Sequence, residues 1–381
     1  MYSGILQKER IFLLRQVDDF AVSAPTSELA TLLLKNIQKH LTQPLKLLGI
    51  LSMYNGLDIA QTDKYIKLTC KTYLSKILQG HGWHHPTTQS KIRNPMNHDK
   101  NYIKTIETSI GSDNVHEQKS LQLQMGFSYR RTISELMFAA VTCRPDILHT
   151  VIKLSQYSNR PVSVHYIAVK RVYRYLRDTI NDGLHFWREH INTSLPTAPV
   201  PVLPPDNYTL KDIASQKYTQ PYGTVDADWA GDVKHRKSIS GIGLFFAGSP
   251  VLYRSRYQPT VSLSSTESEF IAAAEAGKMA LYIQSLLNEI GIEQTDATKL
   301  YEDNAGAISM ANVQRPTRRT PHLDIRHFAL LDWVETDQLV LETISTHDNP
   351  ADALTKILGP QLFSRHSFTL LGKRKPMYCT F

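Results

Sequence analysis

Four short acidic segments stand out in the C-terminal half of the sequence: TVDADWA at 224–230, LSSTESEF at 263–270, KLYEDN at 299–304 and NPADALTK at 349–356. Each sets a carboxylate, Asp226, Glu269, Asp303 or Asp352, at the edge of an expected strand or helix. Hard oxygen donors of this kind suit Mg²⁺. Hydrolysis of a phosphodiester by two such ions uses one to activate water and the other to steady the leaving oxygen. Two divalent ions carry a charge that about four carboxylates neutralise, whereas imidazole or thiolate ligands would select softer metals. The set therefore predicts a Mg²⁺ cage, with Mn²⁺ able to substitute.

Taken singly, each carboxylate also has a plainer explanation. Asp226 and Asp228 are two apart, so both face one side of an extended strand. Glu267 and Glu269 both flank the helix face made by Phe270, Ala273, Ala274 and Gly277. Asp303 falls where a strand hands over to a helix, and Asp352, just after Pro350, sits in a first turn that favours negative charge on its own account. Near the N-terminus, Asp18 and Asp19 read as the tip of a hairpin, either a solvated turn or a metal-binding loop between two strands. His81, His84 and His85 have no carboxylate or cysteine at ligand spacing and read as loop residues.

The elements that must position these groups follow from periodicity. ERIFLLRQVDDFAVSAP reads as strand, turn, strand, and Thr26 can cap a helix carrying Leu29, Leu32, Leu33 and Ile37 that packs on them. PLKLLGILSMYNG suggests a further hairpin, and QTDKYIKLTCKTYLSKIL a strand followed by a helix. After a polar loop, FSYRRTISELMFAAVTCRPDILHTVIKLSQYSN is helical, with Ile133, Leu136, Met137 and Ala140 on one face and Pro145 interrupting it. VSVHYIAVKRVYRYLRDT is a second amphipathic helix. Its Lys170, Arg171 and Arg174, interleaved with Tyr173 and Tyr175, suit a nucleic-acid groove, or else a solvated face with the tyrosines packed on the next helix. Pro196, Pro199, Pro201, Pro204 and Pro205 mark a stiff linker. Beyond it the pattern becomes α/β: TVDADW as a strand, a hairpin across Gly248 and Ser249, a long helix from about Thr266, KLYEDN as a short strand, the helix AGAISMAN, a helix around HFALLDWVET, the strand VLETIST and a last helix from Pro350 to about Leu371. A mixed sheet is expected.

The 381 residues allow two or three domains, and 41% hydrophobic with 20% charged residues describe an ordinary globular chain rather than a disordered or fibrous one. The net charge of +8 favours polyanionic partners. Cys70, Cys143 and Cys379 lie far apart, which argues against a disulfide framework or zinc ribbon and for a reducing compartment. No apolar run reaches the roughly 18 residues of a membrane helix, so no membrane partner is expected.

In this order, VDADWAGDVKHRKSISGIGLFF, VSLSSTESEFIAAAEA, LYEDNAGAISMA, RTPHLDIRHF and NPADALTK resemble the ribonuclease H domain of copia-type retrotransposon polyproteins. QVDDF resembles the YVDD loop of reverse transcriptase, LLGI with QTDKYI the segment behind it, and YRRTISELMFAAVTCRPDI the region joining polymerase to nuclease. The resemblance covers nearly the whole chain and thins between Gly80 and Ser120. It implies a partial reverse transcriptase palm at 1–78, a mostly helical thumb or connection region at 79–190, a Pro-rich linker at 191–220, a ribonuclease H-like domain at 221–372 and a tail at 373–381. It selects Asp226 over Asp228 and Glu269 over Glu267 as catalytic metal ligands beside Asp303 and Asp352, gives His347 a role in product release, and makes Asp18 and Asp19 polymerase metal ligands. The implied activity is Mg²⁺-dependent cleavage of RNA in RNA–DNA hybrids, in a cytoplasmic virus-like particle with nuclear entry, beside other Pol or Gag products. Gln16 replaces the family's aromatic residue before VDD, and no third palm aspartate or template-gripping segment precedes Asp18. The polymerase part is therefore expected to be a remnant, and a catalytically inactive, nucleic-acid-binding chain is the alternative.

Overall fold

The computed structural model describes residues 1–86, 91–202, 219–232, 234–312 and 325–375. Pro204 and Pro205 of the linker, most of RTPHLDIRHF and Cys379 lie outside the described residues.

Strands β1 (Tyr2–Leu6), β2 (Glu9–Gln16) and β3 (Asp19–Ser23) form an antiparallel meander. The acidic pair does not share its tip: Val17, at φ +54°, and Asp18 make the turn, while Asp19 already pairs with Gln16 in the ladder. Thr26 caps α1 (Ser27–Gln38) by accepting the Leu29 N–H. Leu32, Leu33 and Ile37 of this helix are only half-buried, so the meander and α1 enclose little core of their own. Residues 44–52 carry no strand. The second hairpin joins β4 (Met53–Tyr54) to β5 (Leu57–Gln61) through Asn55 and Gly56, both at positive φ, the conformation that suits a two-residue hairpin loop. With β6 (Tyr65–Thr69) and β7 (Leu184–Trp187) they make a four-stranded antiparallel sheet of order β4-β5-β6-β7.

Between β6 and β7 lie α2 (Lys71–Gly80), α3 (Lys100–Thr108), α4 (Val115–Met125), α5 (Tyr129–Thr142), α6 (Leu148–Ser155) and α7 (Ser163–Asp178). Pro145 ends the α5 run and opens a 3-10 turn, Pro145–Ile147. Arg144 is wholly buried at this corner. Its Nε and Nη2 donate to the two Asp146 oxygens at 2.9 and 2.7 Å, its Nη1 donates to the Thr179 carbonyl at 3.1 Å, and Tyr175 donates to Asp146 at 2.7 Å. Each of the three guanidinium nitrogens thus has a partner, and the α5–α6 corner is tied to the end of α7.

The C-terminal part is a mixed five-stranded sheet of order β10-β9-β8-β11-β12, comprising β8 (Tyr222–Asp228), β9 (Ile239–Phe246), β10 (Ser249–Tyr257), β11 (Thr298–Glu302) and β12 (Leu339–Thr343). Strands β8 to β10 are antiparallel, and β11 runs parallel to both β8 and β12. The β9–β10 turn is Ala247–Gly248, at φ +50° and +75°, one residue ahead of the expected Gly248–Ser249. Helix α8 (Ser265–Glu289) makes the crossover to β11, and α9 (Ala305–Asn312) with α10 (Ile325–Glu335) the crossover to β12. The expected single last helix is two pieces: a 3-10 turn at Pro350–Leu354 and α11 (Pro360–Leu370). Proline at 360 disfavours helical backbone at the preceding residue, and Gly359 is extended at ψ 158°.

Both faces of this sheet are buried. Val225, Ala227, Ile242, Leu244, Leu300 and Leu341 pack under Phe270, Ala273 and Ala276 of α8. On the opposite face Tyr222, Phe245 and Tyr301 join one continuous core with Leu136, Leu154 and Leu176 of the helical region and with Phe363 and Leu370 of α11. Strand β7 adds one main-chain and one side-chain tie, donating from His185 N to the Leu371 carbonyl at 3.0 Å and from Trp187 Nε1 to the Gly372 carbonyl at 2.7 Å. The proline-rich segment is held as well: Asp63 accepts the Ala198 N–H at 3.0 Å, and Tyr65 donates to the Pro199 carbonyl at 3.3 Å. Among the described residues no helix is long and apolar enough to cross a membrane.

Candidate metal centre

The alternation of β8 decides what its two aspartates can reach. Val225 and Ala227 point at α8, so Thr224, Asp226 and Asp228 take the other face. Asp226 is buried at 1% exposure, with Thr355 Oγ1 donating to its Oδ2 and Lys356 Nζ 3.0 Å from its Oδ1. Asp228, at the strand end, turns its carboxylate toward Gly231, where an added Cβ would lie 2.1 Å from its Oδ2. The two positions that periodicity leaves equivalent therefore part company at the strand end.

Glu267 and Glu269 separate in the same way. Ser264 caps α8 by accepting the Glu267 N–H at 3.1 Å, and the Glu267 carboxylate accepts the Leu263 N–H at 2.7 Å, so this half-buried side chain closes the first helical turn. Glu269 is buried on the inner side of the helix. Asp303 follows β11, half-buried. Asp352 lies in the 3-10 turn, which Asn349 anchors by donating from Nδ2 to the Val225 carbonyl at 2.6 Å and accepting the Ala351 N–H at 3.1 Å.

These residues converge in two overlapping groups. Ligand oxygens of Asp226, Asp303 and Asp352 lie within 4.8 Å of one another, and so do those of Glu269, Glu302 and Asp303. Asp303 belongs to both. Glu302 is the residue the sequence reading passed over. It sits beside Asp303, and the two-residue period places it with Leu300 on the α8 face, opposite Glu269. Lys356 was also missed; its Nζ lies 2.7 Å from Asp352 and 3.0 Å from Asp226, bridging the two carboxylates. The visible signal was adjacency to Asp303 for Glu302, and for Lys356 a place four residues after Asp352 in the same motif.

Crowding of buried acids sets their protonation. Burial first, then the carboxylates of Glu302, Asp226 and Asp303, push the Glu269 carboxyl up to about 11. Burial likewise drives Glu302 well above the usual carboxylate range, and burial followed by Asp226 raises Asp352 to about 7. Burial opposes the Lys356 ammonium, but Asp226 and Asp352 outweigh it and hold its pKa above the ordinary lysine value. The arrangement can thus store protons, or exchange them for cations bound by oxygen ligands.

The remaining candidates lie elsewhere. Asp18 and Asp19 are exposed on the N-terminal meander and join neither acidic group. His347 is exposed in the turn Thr346–Asp348, shortly before Asp352. His81 pairs with Glu135 at 2.9 Å and stacks on Trp83. Tyr173 and Tyr175 of α7 are buried. Arg171 donates to Asn94 Oδ1 at 2.6 Å, and with Arg174, Lys91 and Arg93 it lines a cavity of about 570 Å³ that reaches Pro360. Lys170 instead lies over the rings of Trp83 and Phe127, at 5.9 and 5.5 Å. Lys91 and Arg93, in the stretch where the motifs thin out, were not anticipated.

No protein-family model matches the chain. It is 30% identical over 356 residues to the retrovirus-related Pol polyprotein from transposon TNT 1-94 of Nicotiana tabacum, a match covering 93% of this chain and 24% of that polyprotein. It is 31% identical over 248 residues to the retrovirus-related Pol polyprotein from transposon RE1 of Arabidopsis thaliana, covering 65% of this chain and 15% of the relative. The chain therefore spans less than a quarter of the length of either relative. A solved RNase H1 isolated from compost, LC11-RNase H1, aligns with 36% of this chain and 93% of its own at 15% identity and a TM-score of 0.29, too loose a superposition to carry weight. On its sequence relatives, the chain belongs to the retrovirus-related Pol polyproteins of copia-type transposons.

Proposed function

We propose that residues 221–372 are a ribonuclease H-like domain that cleaves RNA in RNA–DNA hybrids, with Asp226, Glu269, Asp303 and Asp352 as its Mg²⁺ ligands. The observation that carries this reading is the meeting of Asp226, Asp303 and Asp352, 126 positions apart at the extremes, with ligand oxygens within 4.8 Å. The donor set fits the ion: every ligand is a carboxylate oxygen, and Glu269 Oε2 is buried with no hydrogen-bond partner. Bound cations would supply charge stabilisation to the scissile phosphate and activate the attacking water.

The chain's own residues prepare for this. Asn349 fixes the Asp352 turn against β8, and Thr355 orients Asp226 by donating to it. Lys356 holds Asp226 and Asp352 together as a local positive charge, which a cation entering between them must displace. His347, in its exposed turn, is free to meet the cleaved strand. The cavity of Lys91, Arg93, Arg171 and Arg174 offers positive charge to a nucleic-acid backbone, and its Pro360 wall opens the helix that follows the Asp352 segment. Residues 1–78 are read as the palm-derived part with Asp18 and Asp19, 79–190 as the connection, 191–220 as the linker and 373–381 as a tail. The setting would be a virus-like particle shared with other Pol or Gag products.

The test is cleavage of a labelled hybrid by the purified chain with Mg²⁺, beside Asp303→Asn. Cleavage by the parent and its loss in the variant are expected; equal cleavage by both, or by neither, overturns the reading. The same basic cavity favours one alternative, a chain that binds nucleic acid without cutting it. Its signature is salt-dependent binding of the hybrid with no metal-dependent turnover.

A further inference from the structure

Glu302 has no place in the ligand set proposed above, yet it is the most deeply buried carboxylate of the cluster, at 0% exposure. Its Oε1 accepts the N–H groups of Asp303 and Asn304, both at 3.0 Å, which fixes the side chain at the start of α9. Its Oε2 is buried with no partner, and the same is true of Glu269 Oε2. Among the described residues neither glutamate forms an ion pair, because Lys356 is spent on Asp226 and Asp352. Two adjacent buried carboxylates, each with an idle oxygen, are costly unless a proton or a cation lies between them.

A cation filling requires the acids to give up their protons. Fully ionised, the five carboxylates of the overlapping groups outnumber the one ammonium by about four negative charges, which is the charge of two divalent cations. Asp226, Asp303 and Asp352 supply oxygens for one. Glu269 and Asp303 alone give the other a thin set, which a Glu302 carboxylate oxygen, within 4.8 Å of a ligand oxygen of each, completes.

We propose that Glu302 is a fifth cation-binding carboxylate, and that Glu269, Glu302 and Asp303 hold a divalent cation beside the one on Asp226, Asp303 and Asp352. This rests on the metal-dependent reading of the same centre and extends its ligand set. Glu302→Gln keeps the shape of the side chain and an oxygen for the Asp303 and Asn304 N–H groups, but removes its charge.

The test uses Mn²⁺ alone, without nucleic acid, and the full chain. Mn²⁺ uptake is followed by calorimetry and by electron paramagnetic resonance, which reports whether two ions are close enough to couple. The parent should take up two coupled ions. Glu302→Gln should bind one of them about tenfold more weakly or not at all and lose the coupled signal, the effect of removing one ligand charge. Glu302→Met, of similar volume, should do the same, which guards against a misfolded amide variant. Unchanged uptake in both variants, with a raised melting temperature in EDTA, identifies the filling as a shared proton and overturns the proposal; so does uptake of a single ion by the parent. Hybrid cleavage is scored separately. Two ions held through Glu302 without cleavage defeats only the nuclease reading, and cleavage with Glu302→Gln still binding both ions defeats only this one.

Discussion

Lys356 offers the sharpest single perturbation of the centre. Its ammonium lies 2.7 Å from Asp352 and 3.0 Å from Asp226, carboxylates that are themselves 4% and 1% exposed. Replacing it with methionine keeps the stem but leaves those two charges facing one another without compensation. Removing one partner of a buried ion pair costs about 3–5 kcal/mol. The Lys356 side chain is 35% exposed, so water screens part of the interaction and the low end, about 3 kcal/mol, applies. An unfolding entropy of roughly 2 cal/mol/K per residue over 381 residues turns this into a fall of about 4 °C in melting temperature. The assay is thermal unfolding of parent and Lys356→Met in EDTA and again in saturating MnCl₂. In EDTA the variant should melt lower. With Mn²⁺ the gap should close or reverse, because the ion supplies the missing charge and no longer has to displace an ammonium. Equal melting in EDTA, or a gap that Mn²⁺ leaves untouched, would refute the assignment of Lys356 as the counter-charge.

Two further outcomes follow from the same physics. Glu269 and Asp352 have folded pKa values raised above their unfolded ones, to about 11 and about 7, so the folded chain holds more protons and loses stability as pH rises through those values. Between pH 7 and 9 in EDTA, urea unfolding should show stability falling by about 1.4 kcal/mol per pH unit for each retained proton, and Mg²⁺ should flatten the slope; a flat profile in EDTA contradicts the buried-acid account. At the α5–α6 corner, Arg144→Met strands Asp146 in the core and should cost about 3–5 kcal/mol in urea unfolding, whereas Arg144→Met with Asp146→Leu should recover much of it; equal losses in the single and double variants would show that the pair is not what the corner depends on.

Much of the architecture was legible in local pattern. The Thr26 cap, the strand-to-helix passage from β6 into α2, the proline stop before Ile147 and the long helix starting beside Thr266 all follow from propensity and periodicity, which act within a few residues. Shorter-range errors have local causes too. The β9–β10 loop shifted by one residue because Ala247 takes a positive φ that a glycine was expected to supply, and the last helix broke because Pro360 restricts Gly359. The basic residues of α7 were correctly seen as one helix, but their partners were not readable: Lys170 lies over Trp83 and Phe127, while Arg171 and Arg174 turn toward Lys91 and Arg93 from a loop with no motif.

The sequence by itself determined the strands and helices around three of the four acidic segments, the carboxylate chemistry suited to hard cations, and kinship with copia-type Pol polyproteins. It left Asp226 against Asp228 and Glu269 against Glu267 undecided on physical grounds, because a period of two or of 3.6 names a face and not a neighbour. Tertiary structure decided what each face meets. Asp226 receives Thr355 and Lys356 from a broken helix 129 and 130 positions away, Asp228 turns to Gly231, and Glu267 is consumed in closing its own helix. It also brought Glu302 opposite Glu269 in the interior. Burial and proximity arise only when distant segments pack, and they, rather than residue type, make a carboxylate a ligand or a cap.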